Sequence, residues 1–309
     1  MATNISRISI PFKSLEDKRN INTKGINTNI LSHKDTGSID CLVEGEGDLF
    51  YKTVFKKKIF HNSKKNINFY AINQKNPKYP VPKEYENYFR GAIEHFVKNH
   101  NNKNTVTISG IIDRDFDDPI DITIQGRLEC TDGNDLETTK IIFDYDNIKS
   151  AVSSYFNNEN IFDECIKLAA TISKVRYVIK NNKKEIHYKS FKEFEKETNY
   201  YYEFFKNQSI TTDKILSALD IKPKTAFSSL QNQINSLSGA DISYCRGHDI
   251  FNFIGCYKKL FSRNTPSESI YSDINKKRQE YENTLLKNFL LDKFSSSRIF
   301  TFLNNLSKN

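Results

Sequence analysis

The spacing of hydrophobic positions changes character along the chain. IDCLVE (39–44) is a short apolar run closed by Gly45, the pattern of a buried strand. GDLFYKTVFKK (47–57) follows with apolar residues at helical spacing, and NINFYAI (66–72) is a second β-branched and aromatic run. KEYENYFRGAIEHFVKNH (83–100) reads as a long amphipathic helix, and NTVTISGIID (104–113) as a third strand that ends on an acid. Strand, helix, strand, helix, strand is the order of a parallel sheet with helices on its faces, so the expected class is α/β with a Rossmann-like core. The alternation runs to about 145, and the chain then turns mostly helical. Ile161, Cys165, Leu168, Ile172, Val175 and Ile179 recur in steps of four and three, one stripe facing a core. KEIHYKSF (184–191) is a short strand candidate, and 192–309 reads as four to six helices with a loop and helix start at 264–269. Residues 1–37 are polar and aperiodic, an N-terminal arm. The division is thus an arm at 1–37, an α/β core at 38–185 and a mostly helical C-terminal region at 186–309, with a soft boundary near 183–210.

Composition narrows the class. A chain of 309 residues has ample length for a core, and 13% aromatic residues argue against disorder. No run of about 18 apolar residues is present, and the N-terminal segment lacks the apolar stretch of a secretion signal. The expectation is therefore no membrane span. Five cysteines without a CxxC pair argue against a disulfide framework and a tetrathiolate zinc site, so a cytoplasmic protein with reduced thiols is expected. The net charge of +8 suits a phosphate-rich partner, although the abundance of Asn and Lys equally fits an AT-rich gene.

Candidate chemistry lies at the strand ends. Glu44 follows the first strand in LVEGEGD (42–48), with Gly45 for a sharp turn and Asp48 in the first helical turn. Asp113 and Asp115 follow the third strand in GIIDRDFDD (110–118). Open parallel sheets bind ligands at the carboxyl ends of their strands, so acids from two strands are expected to converge there. Converging carboxylates repel unless a hard divalent cation separates them, and an all-oxygen donor set selects Mg²⁺ or Mn²⁺. Each acid taken alone also reads as a turn residue or a helix cap.

These segments resemble a family. LVEGEGDLFY followed by ISGIIDRDFDD is similar to the TOPRIM domain of topoisomerases, primases and OLD-type nucleases, in which one strand ends in Glu and a later one in DxD. CTDGNDLET (130–138), LAATISKVRYVIKNNKKEIHY (168–188) and RGHDIFNFIG (246–255) resemble successive blocks of the stand-alone OLD-like TOPRIM nucleases. The resemblance covers roughly residues 38–260. It implies a TOPRIM fold and a metal-dependent endonuclease, with Glu44 as the essential catalytic acid, Asp113 and Asp115 joining Glu44 around the metal, and Asp48 in support. Asp135 and Glu137 match the extra acids of that group. It further implies the toxic effector of an anti-phage system such as PARIS, released from an ABC-type ATPase sensor of the AriA kind to cleave tRNA, and working as a homodimer. No tyrosine stands out as the nucleophile of a strand-passing enzyme, which favours hydrolysis by water.

Other positions keep two readings. Arg176 and Arg246 are candidates for phosphate clamping, Arg176 equally a surface charge near a helix end. His248, at the start of a helix in RGHDIF, is a candidate acid or phosphate ligand, or a structural histidine bonded to Asp249. ILSALDIKPKTAFSSL (215–230) has the pattern of a helix-turn-helix, with Asp220 where glycine usually makes the turn and few cations on its second helix; a plain helical hairpin fits as well. KKKIFHNSKK (56–65) is a basic segment that suits nucleic acid or a solvated turn, and 276–294 is an amphipathic helix with a possible docking face. The alternatives to a tRNA nuclease are an OLD-like DNA nuclease, a DNA-binding regulator built around 213–237, and an inactive TOPRIM-derived scaffold.

Overall fold

The structure is a computed structural model that describes residues 38–72, 76, 78–86, 88–100, 107–117, 123–124, 126–188, 191, 211–237, 242–261, 289 and 291–308. The expected N-terminal arm, the loop at 264–269 and most of the 276–294 helix lie outside these residues. The chain divides into two compact units, residues 1–130 with 302–309, and residues 131–301. The boundary expected near 183–210 falls inside the second of them.

The first unit is the α/β part. Strands β1 (Ser38–Val43), β2 (Asn66–Ala71), β3 (Thr107–Ile112) and β4 (Leu128–Cys130) form one sheet in the order β2-β1-β3-β4, and every pairing is parallel. β4 is only three residues long, too short to announce itself by period, and was not foreseen. The helical stretch after β1 runs further than 47–57. It consists of a 3₁₀ turn at Gly47–Leu49, helix α1 (Phe50–Val54), a π-turn at Phe55–Ile59 and a 3₁₀ turn at Phe60–Asn62. Tyr51, Val54, Phe55 and Ile59 are buried along it, and Phe55 meets Phe69 of β2 with ring centroids 6.1 Å apart. The expected helix at 83–100 is shorter: Lys83–Tyr85 is a single 3₁₀ turn, and helix α2 begins at Phe89 and ends at His100.

Helix α2 packs Ala92, Ile93, Phe96 and Val97 against Leu42, Ile108, Ile112 and Leu128. Gly110 permits this approach. A Cβ there would lie 2.4 Å from Ile93 Cγ2 and 2.9 Å from Leu128 Cδ1, well inside contact distance. Near the other end of β1, the buried Asp40 accepts hydrogen bonds from the Tyr79 hydroxyl and Asn68 Nδ2 and pairs with Lys78 Nζ at 2.7 Å. A charged group in a strand interior is tolerated because every such contact is satisfied.

The second unit is helical. It holds α3 (Leu136–Phe143), α4 (Tyr145–Phe156), α5 (Ile161–Asn181), α6 (Thr212–Ala218), α7 (Ala226–Ser236) and α8 (Gly247–Phe261). Helix α9 (Arg298–Lys308) closes the chain. In α5 the stripe residues Ile161, Cys165, Ile172, Val175 and Ile179 are buried, as their spacing requires. The strand expected at 184–191 reduces, among the described residues, to an isolated bridge between His187 and Lys222. All five cysteines are buried, and none forms a disulfide. Among the described residues no helix is long and apolar enough to cross a membrane.

Candidate active site

The strand order creates a place for a ligand. β1 hands the chain to β2 on one side of the sheet, while β3 hands it to β4 on the other. The connections therefore diverge between β1 and β3, and open parallel sheets bind their ligands outside the carboxyl ends of strands at such a switch point. Glu44 is the first residue after β1 and Asp113 the first after β3. The two meet: Asp113 N–H donates to Glu44 Oε1 at 2.8 Å. Four residues further along the chain from Glu44, Asp48 accepts the Gly45 N–H on Oδ2 at 2.9 Å, which pins the turn that carries Glu44.

The turn after Asp113 is strained. Asp115 (φ 49°) and Phe116 (φ 69°) both lie in the left-handed region, which costs a bulky residue such as Phe most. The Phe116 ring is buried, and that anchorage holds the turn in place. The result aims Asp115 outward, with a side chain 51% exposed.

Two residues that sequence reasoning did not select complete the cluster. Arg90, the second residue of α2, is only 4% exposed along its side chain, and its guanidinium reaches Asp117 Oδ2 at 2.7 Å, Glu94 Oε1 at 3.1 Å and Asp115 Oδ2 at 4.0 Å. Burial works against its charge, and the neighbouring carboxylates, Asp117 foremost, more than offset this and keep it protonated. A lone Arg inside an amphipathic helix pattern carries no signal of such a role, because a charged position every few residues is what a helix surface looks like. Tyr88, just before α2, is 47% exposed on the same side of the unit. Desolvation, together with Glu94, Asp115 and Asp117, pushes its phenol up to about 12 against the pull of Arg90.

Glu44 is electrostatically the most perturbed acid of the group. Desolvation, and then the charges of Asp115 and Asp48, push its carboxyl up to about 8, against the lowering effects of the Asp113 N–H and Arg90. Arg90 thus pairs with Asp117, Glu94 and Asp115 and lowers the proton affinity of Glu44, while Asp115 and Asp48 raise it, a repulsion that a proton or a further cation at Glu44 relieves. Among the described residues no group of three or more His, Cys, Asp or Glu side chains stands around a common point in the manner of a metal site. The donor chemistry nonetheless fits a hard divalent ion: every candidate ligand is a carboxylate, and Glu44 and Asp113 meet at the strand ends with Asp115 and Asp48 near enough to raise the proton affinity of Glu44.

The second unit places the remaining candidates. The DLET and GHD segments, far apart in sequence, meet through Asp135. Its Oδ1 accepts the Thr138 N–H at 2.8 Å and the Thr138 hydroxyl, capping α3, while its Oδ2 accepts the Gly247 N–H at 2.8 Å, capping α8. The Cys245 carbonyl lies 2.9 Å from Thr138 Oγ1 as an alternative acceptor for its single hydroxyl proton, and Asn134 Nδ2 donates to the Tyr244 carbonyl. The approach is so close that a Cβ on Gly247 would lie 2.3 Å from Glu137 Cβ, which explains the glycine of GHD. Glu137 is partly buried at this seam, as are Arg246 and His248. Asp135 therefore has a demonstrated occupation as a double helix cap. Arg176 is not a surface charge: it is buried, pairs with Asp249 Oδ1 at 3.4 Å and lies 4.3 Å from the Phe191 ring centroid.

The 215–230 segment is a helical hairpin, α6 and α7, whose turn contains Asp220 at φ 47°. Asp thus makes the left-handed turn that glycine usually makes. Gln231 on α7, a position for base contact in a DNA-reading hairpin, donates to Asp213 Oδ1 at 2.6 Å, and Lys222 pairs with Asp220 at 3.1 Å.

No protein-family model matches the chain, and no curated protein matches it.

Proposed function

We propose that the chain is a metal-dependent endonuclease of TOPRIM type, acting on nucleic acid by hydrolysis. The observation that carries this reading is the meeting of Glu44 and Asp113 at the point where the parallel sheet's connections diverge, with Asp48 and Asp115 close enough to raise the proton affinity of Glu44. Glu44, Asp113 and Asp115 would hold Mg²⁺ or Mn²⁺. Such an ion supplies charge neutralisation at a scissile phosphate and an acidified water. The protein's own groups have separate tasks. Asp48 holds the Gly45 turn and so the direction of Glu44. Arg90 holds Asp117 and Glu94 and so the start of the Asp115 turn. Glu44, the first residue after β1, presents its carboxyl at the strand end beside Asp113, the first after β3.

The biological role rests on the resemblance of the LVEGEGD, DRD, DLET and GHD segments to OLD-like TOPRIM nucleases, and to the PARIS effector AriB among them. On that basis the substrate is tRNA, the partner an ABC-type ATPase that restrains the nuclease, and the active form a homodimer. Purified protein incubated with tRNA and with plasmid DNA, with Mg²⁺ or with EDTA, tests the reading. Cleavage of tRNA that needs Mg²⁺ and disappears in Glu44→Ala is the expected result. Cleavage of plasmid alone would make the chain a DNA nuclease, and cleavage that survives Glu44→Ala would dismiss the site.

A further inference from the structure

The segment between Glu44 and α2 has an unusual charge distribution. From residue 49 to residue 83 the sequence contains no Asp or Glu and nine Lys. Six of those lysines fall within residues 52–65, 6 of 14 positions, against 46 Lys and Arg in all 309. The structure turns this composition into a surface. Tyr51, Val54, Phe55 and Ile59 are buried, so the helical stretch is fixed in rotation about its own axis. Lys52, Lys56, Lys57 and Lys58 are exposed as a consequence, and Lys64 is exposed beyond them. The far end is anchored as well: the Lys64 and Lys65 N–H groups donate to the Ser307 carbonyl at 2.9 and 3.1 Å. Phe60 stands among these lysines, 49% exposed, with its ring edge-on to Phe55 at 5.9 Å and to His61 at 6.5 Å. An exposed phenylalanine braced from below by a buried one is a rigid aromatic platform, and such a ring amid lysines is the pairing that single-stranded nucleic acid recognises: cations for the phosphates and a flat face for an unstacked base.

We infer that the lysine-rich helical stretch at 52–65, with Phe60 at its centre, is a docking surface for a single-stranded segment of nucleic acid. The stretch begins eight residues after Glu44 in the same unit and ends at the start of β2, which pairs with the start of β1, so a strand lying along it reaches from the carboxyl ends of the sheet's strands toward their amino ends. The inference rests on the nuclease reading for its substrate class, but it concerns binding and is tested without catalysis. The preference for a single strand comes from Phe60, because a duplex offers phosphates to the lysines but no free base face to the ring.

The test is fluorescence anisotropy in EDTA, with a labelled single-stranded RNA oligonucleotide and its duplex, at several KCl concentrations. Lys56→Gln, Lys57→Gln and Lys64→Gln together should weaken single-strand binding roughly ten- to fifty-fold near 0.15 M salt and flatten the log–log salt slope by about 2. Phe60→Leu, which keeps an apolar contact for Phe55, should weaken single-strand binding roughly tenfold and leave duplex binding nearly unchanged. Circular dichroism of each variant checks that the fold is kept. If the parent binds RNA and the triple variant binds equally well, the docking surface is wrong while the nuclease reading stands. A parent that binds vesicles of anionic phospholipid more tightly than RNA, and loses this in the triple variant, would make the stretch a membrane-facing surface and overturn the inference. A parent that binds no RNA overturns it too, and the cleavage assay with Glu44→Ala then judges the nuclease reading separately.

Discussion

Replacement of Arg90 by Met is the sharpest probe of the acidic cluster. Arg90 is buried to 4% exposure and places its guanidinium 2.7 Å from Asp117 and 3.1 Å from Glu94. Met matches the length of the side chain, so the core contacts of α2 are largely kept, and the loss is electrostatic. Breaking one side of a buried ion pair leaves a desolvated charge and typically costs about 3–5 kcal/mol. Asp117 retains 12% exposure and Glu94 25%, so water screens part of the orphaned charge and the expected cost is about 2–4 kcal/mol. A loss of that size lowers Tm by roughly 5–12 °C. The partner variant Asp117→Asn should also destabilise, but in the Arg90→Met background it should cost less, because the Arg90 guanidinium is no longer there for Asp117 to meet. The double-mutant cycle should show coupling of about 1–3 kcal/mol. Thermal and urea unfolding of the four proteins give the measurement. A Tm drop below about 2 °C for Arg90→Met, or additive effects in the cycle, would show that the pair is solvated and that Arg90 does not organise the turn.

Other consequences are equally open to measurement. Glu44 keeps its proton up to about 8 in the native state against a usual 4.5, so the native state binds more protons than the unfolded chain between those values and stability falls as pH rises through them. Glu44→Gln should remove that slope and, with allowance for water at a partly buried side chain, stabilise the protein at pH 8–9 by about 1–3 kcal/mol relative to the parent; an unchanged pH–Tm profile would contradict it. Asp135→Ala strips two helix N-termini of their acceptor and should cost about 2–4 kcal/mol in urea melts, with Asp135→Asn recovering part of it. Gly247→Ala forces a Cβ to within 2.3 Å of Glu137 Cβ and should destabilise by about 1–3 kcal/mol, and Glu137→Gly in the same chain should restore much of the loss. Lys222, Lys224 and Gln231 changed together to Ala should leave cleavage and nucleic-acid affinity at the parent level, since Lys222 is already paired and Gln231 already bonded within the hairpin.

Much of the architecture was written in local order. The apolar runs at 39–44, 66–72 and 104–113 overlap the three longer strands, and the four–three spacing from Ile161 to Ile179 marks the buried face of α5, with Leu168 half-buried at its margin, because periodicity reports directly which side of an element leaves water. The acids at the ends of β1 and β3 were legible for the same reason: a run of apolar residues that stops on a carboxylate marks the place where the chain emerges. Local order did not reveal β4, since three residues are too few to display a period. It did not separate the turn at Lys83–Tyr85 from α2, because the two share one amphipathic pattern.

What tertiary structure alone decided is partnership. The sequence by itself determined an alternating α/β first part, a helical remainder, a basic stretch free of acids between 49 and 83, and carboxylates at two strand ends. Which strands are neighbours, and so that Glu44 meets Asp113 across 69 positions, follows from the order β2-β1-β3-β4, which pairs β1 with β3 rather than leaving them apart. The enlistment of Arg90 as counterion, the left-handed turn held by the buried Phe116 ring, and the capture of the Gly247 N–H by Asp135 likewise depend on groups distant in the chain. Local pattern encodes exposure, a property each residue has by itself. A charge pair or a cap belongs to two residues at once, and only the folded chain brings the second one within reach.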